Sequence, residues 1–199
     1  MSIFRKEIQS LKDEELVKQL STRRSNEALT ELHARYSKKV LGFFIYMLKE
    51  DKDKAHDFVQ ELFMRILEKH HQFNPERKFS PWMFAIASNL CKTEFRKPIN
   101  QRISDDVNEL DEHAEWSENN FDKIEFRKAL KQAISSLEAH HRETFILRYM
   151  EELSIKEIAV ITDVSDGTVK SRLFYATKII TERLKEFNPS NEGSLFKMN

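Results

Sequence analysis

Three glycines and four prolines in 199 residues leave this chain few places to turn. Gly and Pro are the main punctuation of tight turns, so their scarcity points to long helices joined by few loops. The apolar residues agree with that reading. Leu29, Leu32, Tyr36, Val40, Phe43 and Met47 recur every three or four positions, as one face of a helix does. Ala55, Phe58, Val59, Leu62, Phe63, Ile66 and Leu67 form a second stripe. A third helix is expected from "SPW", with Ser80 as N-cap, Pro81 at the first helical position and Trp82, Ala85, Ile86, Asn89 and Leu90 on its inner face. It should end near Lys97, because Pro98 disfavours helix in the residue before it. No segment reads as a strand, and the expected fold class is all-α.

Further stripes follow a gap. Phe126, Leu130, Ile134 and Leu137 mark one helix, and Phe145, Ile146 and Tyr149 another. Between the two sets lies "PINQRISDDVNELDEHAEWSENNFDKIE", which lacks helical periodicity. A structureless stretch of about 20 residues or more does not belong inside a compact domain. The expected organisation is an N-terminal helical domain over residues 1–97, an acidic flexible linker over 98–125, a C-terminal helical domain over 126–187 and a loose tail over 188–199. Charge supports the division. The whole chain is formally neutral, with 33 basic and 33 acidic residues. Residues 1–97 hold 19 Lys and Arg against 14 Asp and Glu, residues 98–125 hold 2 against 9, and residues 126–199 hold 12 against 10. Two mildly basic blocks flank an acidic one.

The stretch "EELSIKEIAVITDVSDGTVKSRLFYATKII" reads as a helix-turn-helix. Ser154 and Glu157 fit a capping box, in which each side chain bonds the other residue's backbone N–H. Thr162-Asp163-Val164 is the turn, and Asp tolerates a left-handed backbone there. Ser165 caps the last helix, whose inner face is Val169, Leu173, Ala176, Ile180 and Leu184. That face forces Thr168, Lys170, Ser171, Tyr175 and Lys178 outward, where hydroxyls and cations suit base edges and phosphates. A capped amphipathic pair with a merely solvated polar face is the alternative. Asp166 would repel phosphate or accept from a cytosine amino group.

Two other surfaces stand out. Asp57, Gln60 and Glu61 are helical neighbours beside the second apolar stripe, an acidic and amide face suited to a basic partner or simply to water. In "FNPERKFSPWMFAIASNLCKTEFRK" aromatic residues alternate with cations, as single-stranded nucleic acid binding requires. Trp82 reads equally as a stacking face or as core, Phe84 as core. Chemistry is hard to find. There is no Gly-rich phosphate loop, no GxSxG, no HExxH and no CxxC, and the adjacent pairs His70-His71 and His140-His141 are expected to point to different helix faces. No catalytic residue, metal site, cofactor or small-molecule substrate is expected. One cysteine, Cys91, excludes an intramolecular disulfide. No stretch approaches the roughly 18 consecutive apolar residues of a membrane span, and the N-terminus has no secretory pattern, so a cytoplasmic protein without membrane insertion is expected.

The order of these motifs resembles the extracytoplasmic-function sigma factors of bacterial RNA polymerase. "AHDFVQELFMRIL" is similar to that family's polymerase-binding helix at Ala55, Asp57, Gln60 and Phe63; "FSPWMFAIASNLCKTEFRK" to its promoter-melting segment at Trp82, Ile86, Ala87, Asn89 and Arg96; and "LSIKEIAVITDVSDGTVKSRLFYA" to its C-terminal helix-turn-helix at Glu157, Ile158, Ala159, Gly167, Thr168, Val169, Lys170, Ser171 and Arg172. The resemblance implies three partners: core RNA polymerase, promoter DNA and an anti-sigma factor. It implies that Asp57, Gln60, Glu61 and Met64 dock on core polymerase. Asn74, Arg77, Lys78, Phe79, Trp82, Asn89, Arg96 and Lys97 would read and melt the minus-ten element, with the loop "QFNPERKF" accepting a flipped base. Ser165, Asp166, Thr168, Lys170, Ser171, Arg172, Phe174, Tyr175 and Lys178 would read the minus-thirty-five element. The chain departs from the family pattern at His56, Thr93, Glu138 and Tyr175. A stand-alone helix-turn-helix regulator is the second reading, and the Asp57, Gln60 and Glu61 face has no use in it.

Overall fold

The computed structural model describes residues 7–49, 51–97 and 121–187, with side chains from residue 124 onward in the last segment. Every longer regular element among them is an α-helix. The helices up to Arg96 belong to one compact unit, and those from Phe121, apart from residues 160–163, to a second. Of the linker expected over 98–125, residues 98–120 lie outside the described residues, as does the tail from 188, and residues 121–125 are helical.

The first unit contains α1 (Asp13–Gln19), α2 (Ser25–Met47), α3 (Lys52–Lys69) and α4 (Phe79–Arg96). The predicted stripes on α2 and α3 are its core. Leu32, Val40, Phe43 and Met47 of α2 and Ala55, Val59, Leu62, Phe63 and Ile66 of α3 are buried. Asp51 caps α3 by accepting from the Lys54 N–H at 3.0 Å. Phe43 meets Phe44 and Phe84 edge-on, with ring centroids 5.6 and 5.5 Å apart. Burying a side chain of this kind stabilises by about 1.5–3 kcal/mol. The ends of α3 and α4 are tied by charge: Lys54 pairs with the buried Glu94, which also takes Lys97 at 2.8 Å. Burial alone would raise the Glu94 pKa, but the two lysines outweigh it and hold the carboxyl below the ordinary glutamate range. This contribution to stability is present above that range and is lost as pH falls through the lowered value.

Two expectations for this unit are corrected. The helix predicted to start behind Ser80 starts at Phe79, with Lys78 as N-cap residue, so Ser80 and Pro81 are its second and third residues. The cap comes from α1, which opens on Asp13, Glu14 and Glu15 and buries Leu16 and Val17: the Phe79 N–H donates to Glu14 Oε1 at 3.0 Å. The inner face of α4 is also rotated from the predicted one. Phe79, Met83, Phe84, Ile86, Ala87, Leu90 and Cys91 are buried, Trp82 and Ala85 are half-buried, and Asn89 is exposed. Packing against both α2 and α3 sets this face.

The second unit contains α5 (Phe121–Ser135), α6 (Ala139–Tyr149), α7 (Ile155–Thr162) and α8 (Asp166–Arg183). Helix α5 begins before the predicted domain boundary at 126; Ile124, half-buried, extends the apolar stripe upstream. Val169, Leu173, Ala176, Ile180 and Leu184 are all buried, as their spacing predicts, and α8 lies against α5 and α6. Arg142 is buried as well, its guanidinium donating to the Ser135 carbonyl at the end of α5 at 3.0 Å.

With so few glycines, helices end on residues that carry a Cβ. Lys49, Glu152 and Asp163 have φ of 54°, 57° and 58°. The left-handed conformation costs a non-glycine residue about 1–2 kcal/mol. Lys49 is exposed and follows the α2 C-cap, Leu48. Lys49→Gly should therefore stabilise the protein by about 1 kcal/mol in urea unfolding; an unchanged or lowered midpoint would show that this backbone carries no strain.

Candidate nucleic-acid interface

Three surfaces hold the predicted residues. On α3, the buried stripe leaves Asp57, Gln60, Glu61 and Met64 exposed together on the opposite side. Met64 is 55% exposed, so an apolar side chain sits beside two carboxylates and an amide. Glu61 makes an i,i+4 pair with Arg65 at 2.7 Å. His56, where the family pattern is often acidic, is exposed beside them.

The second surface is the loop between α3 and α4. Its body is built from below by aromatic rings. Phe73 and Trp82 lie 5.2 Å apart, Phe79 packs on Trp82 at 6.0 Å and on Phe73 at 6.2 Å, and Tyr36 of α2 meets Phe79 edge-on at 5.2 Å. The loop itself is a turn. Asn74 Oδ1 accepts from the Glu76 N–H at 3.0 Å, and the Asn74 carbonyl accepts from the Arg77 N–H at 3.0 Å. Asn74, Arg77, Lys78, Asn89, Arg96 and Lys97 are exposed. Phe79 is not: it has no exposed surface and presents no stacking face, because its ring is the centre of the aromatic cluster. That corrects its placement among the DNA-contacting residues. Trp82, half-buried, keeps part of its ring at the surface while its inner side packs on Phe73 and Phe79.

The third surface is the helix-turn-helix. Ser154 and Glu157 form the predicted capping box: the Ser154 N–H donates to Glu157 Oε2 at 2.9 Å, and the Glu157 N–H to Ser154 Oγ at 3.3 Å. Asp163 takes the left-handed position, and the Val164 N–H closes α7 on the Ala159 carbonyl at 3.1 Å. Ser165 Oγ accepts from the Thr168 N–H at 3.2 Å and lies 3.0 Å from Thr168 Oγ1. Both predicted hydroxyls thus take part in the α8 cap, and Ser171 Oγ donates to the Thr168 carbonyl at 3.1 Å. Asp166, Lys170, Ser171, Phe174, Tyr175 and Lys178 are exposed and Arg172 is half-buried. Asp166 shares a shallow depression with Arg148, Lys156 and Lys170, which offsets its negative charge. Asp166 also stands in the first turn of α8, where a carboxylate is favoured by the helix dipole.

Phe174 and Tyr175 are each 53% exposed, large for free aromatic rings. Tyr175 packs against Phe174 at 5.5 Å and against His141 of α6 at 6.0 Å. The His140 and His141 rings lie 4.1 Å apart, not on separate faces, and with Glu138 they bring potential ligand atoms within 4.8 Å. The setting is poor for a cation. It is the positive N-terminal end of α6, and Arg172 adds further positive charge near His141. Burial, then His140, lowers the His141 pKa.

Comparison with known proteins shows the family to which these helices belong. The family described as Sigma-70 region 2 matches residues 32–102, and Sigma-70, region 4 matches residues 127–178. The chain is 33% identical over 150 residues to the ECF RNA polymerase sigma factor SigM of Bacillus subtilis, spanning 74% of this chain and 90% of that protein. It is 29% identical over 188 residues to the ECF RNA polymerase sigma-E factor of Haemophilus influenzae, spanning 89% and 97%. The fold is shared with the sigma factor RpoE of Bartonella quintana, solved with the anti-sigma factor NepR: TM-score 0.63, 24% identity, 78% of this chain and 96% of that one. CnrH, solved with the cytosolic domain of CnrY, gives a TM-score of 0.62 at 20% identity, over 87% and 97%. No helix among the described residues is long and apolar enough to cross a membrane. The chain belongs to the ECF sigma factors, which bind core RNA polymerase and direct it to start transcription at specific promoters.

Proposed function

We propose that the three surfaces divide the work of initiation among them. The α3 face of Asp57, Gln60, Glu61 and Met64 docks on a basic surface of core polymerase. The loop of residues 73–78, with Trp82, Asn89, Arg96 and Lys97, takes the minus-ten strand once the duplex opens. The outward side of α8 reads the minus-thirty-five element, with Lys170 and Lys178 on phosphates and Ser171, Arg172, Phe174 and Tyr175 toward the groove. The observation that carries this reading is the α3 face: two exposed carboxylates and an amide beside an exposed methionine, on a helix whose other side is core. An apolar side chain flanked by carboxylates suits a docking surface that pairs apolar contact with a charged rim.

The chain acts as a specificity subunit and not as an enzyme, and it works in the cytoplasm, where polymerase is. An anti-sigma factor is its expected inhibitor, covering these faces until a signal releases them. Reconstitution with purified core polymerase and promoter DNA tests the whole scheme. Binding to core and initiation at a defined start site are expected. Failure to bind core, or to initiate on any promoter, would overturn it.

A further inference from the structure

Helix α4 begins at the minus-ten loop, yet its own N-cap residue, Lys78, supplies no side-chain cap. The first helical N–H, that of Phe79, is instead met by Glu14 of α1, 65 residues upstream in the chain. Helix α1 is itself held firmly. Arg35 of α2 pairs with Asp13 at 2.7 Å and donates to the Leu11 and Gln9 carbonyls, each at 2.9 Å. Tyr36 donates its hydroxyl to the same Asp13. Burial, then Asp13, raises the Tyr36 pKa, so the hydroxyl stays a donor. The ring of Tyr36 is the one that packs on Phe79. Adjacent residues of α1 thus grip Phe79 by two routes: Glu14 holds its backbone N–H, and Asp13 holds the tyrosine against its ring.

We infer that Glu14 is a positioning residue for minus-ten recognition: a carboxylate from α1 that caps α4 and holds the loop of residues 73–78 in its reading geometry. This rests on the assignment of that loop to the minus-ten strand. Phe79 joins the loop to the helix and lies at the centre of the rings that support Phe73 and Trp82. Anchoring its N–H fixes where Arg77 and Lys78 leave the loop and how Trp82 is presented one turn later. The carboxylate has a second consequence. Helix N-termini attract phosphate, and Glu14 occupies that place on α4. The bound strand is therefore directed to the exposed loop side chains and away from the helix end.

The test uses holoenzyme assembled from core polymerase and full-length protein, with a single-stranded oligonucleotide carrying the minus-ten element. Glu14→Ala removes the acceptor, and the loss of such a cap corresponds to about a five- to tenfold drop in oligonucleotide affinity. Glu14→Gln keeps an oxygen acceptor at the same reach and should restore binding to within about threefold of wild type, with the Phe79 cap remade. Core affinity and affinity for a minus-thirty-five duplex should stay unchanged in both. Wild-type oligonucleotide binding by Glu14→Ala would overturn the inference. So would equal loss in both variants, or a parallel loss of core affinity, since either marks a general effect of charge or fold. A paired Arg77→Ala, Lys78→Ala protein separates the underlying reading. If it binds the oligonucleotide as wild type does, the loop is not the minus-ten site at all; if it binds weakly while Glu14→Ala does not, only the positioning role fails.

Discussion

Reversing charge at Asp57 and Glu61 together should weaken binding to core polymerase by about 2–4 kcal/mol, or roughly 30- to 1,000-fold. The size follows from turning two attractive contacts into repulsive ones at an interface, where juxtaposed like charges cost several kcal/mol. Fold effects should be small. Both residues are exposed, and among the described residues the ion pair either of them makes is the surface pair between Glu61 and Arg65. Replacing Glu61 by Lys places it beside Arg65, which costs only about 0.2–0.5 kcal/mol of helix stability. Competition for core against the wild-type protein measures the effect, with thermal unfolding as the control. A double variant that unfolds at the normal temperature and competes as well as wild type would remove the α3 face from the interface.

Replacing Lys170 and Lys178 by Ala together should lower the salt dependence of holoenzyme binding to a promoter by about two units of log–log slope, since each lost phosphate contact removes about 0.9. Affinity at low salt should fall most. The two lysines are exposed, two turns apart on α8, and neither pairs with a carboxylate in the ion pairs described, so substitution removes charge without disturbing the buried face. Lys170 also shares the depression with Arg148, Lys156 and Asp166, so its removal leaves Asp166 less balanced. Loss of Lys170 alone should therefore reduce affinity more than loss of Lys178. An unchanged slope in the double variant would return both lysines to the role of a solvated face. Set beside the first prediction, the pair separates the two functions: one variant loses core and the other loses DNA.

Much of this was legible from residue spacing. The apolar stripes of α2, α3 and α8 are the buried faces, and because a helix has only two sides, the exposed residues of α3 and α8 followed from them. The capping box at Ser154 and Glu157 and the left-handed turn at Asp163 are local chemistry, within a few residues of chain, and both formed as read. Errors arose where a distant residue intervened. Ser-Pro is a good local start and predicts α4 behind Ser80, but the acceptor at its first N–H comes from Glu14. The resemblance implies a DNA contact for Phe79, yet Tyr36, Phe73 and Trp82 enclose it. Asn89 was assigned inward by period, and packing of α4 on both α2 and α3 turned it outward. The family resemblance supplied roles that no spacing could, since periodicity tells which side of a helix faces out and not what it meets there.

What the sequence determined by itself was most of the helices, the buried faces of α2, α3 and α8 and the order of the three candidate surfaces. Those depend on interactions within four residues along the chain, which composition and period encode directly. What only the tertiary structure decided was how the loop before α4 is held. It is tied to a short helix, α1, itself held by an ion pair between Asp13 and Arg35, through a carboxylate meeting a backbone N–H across 65 residues. No local pattern records such a contact, because its two halves are ordinary residues until the fold brings them together.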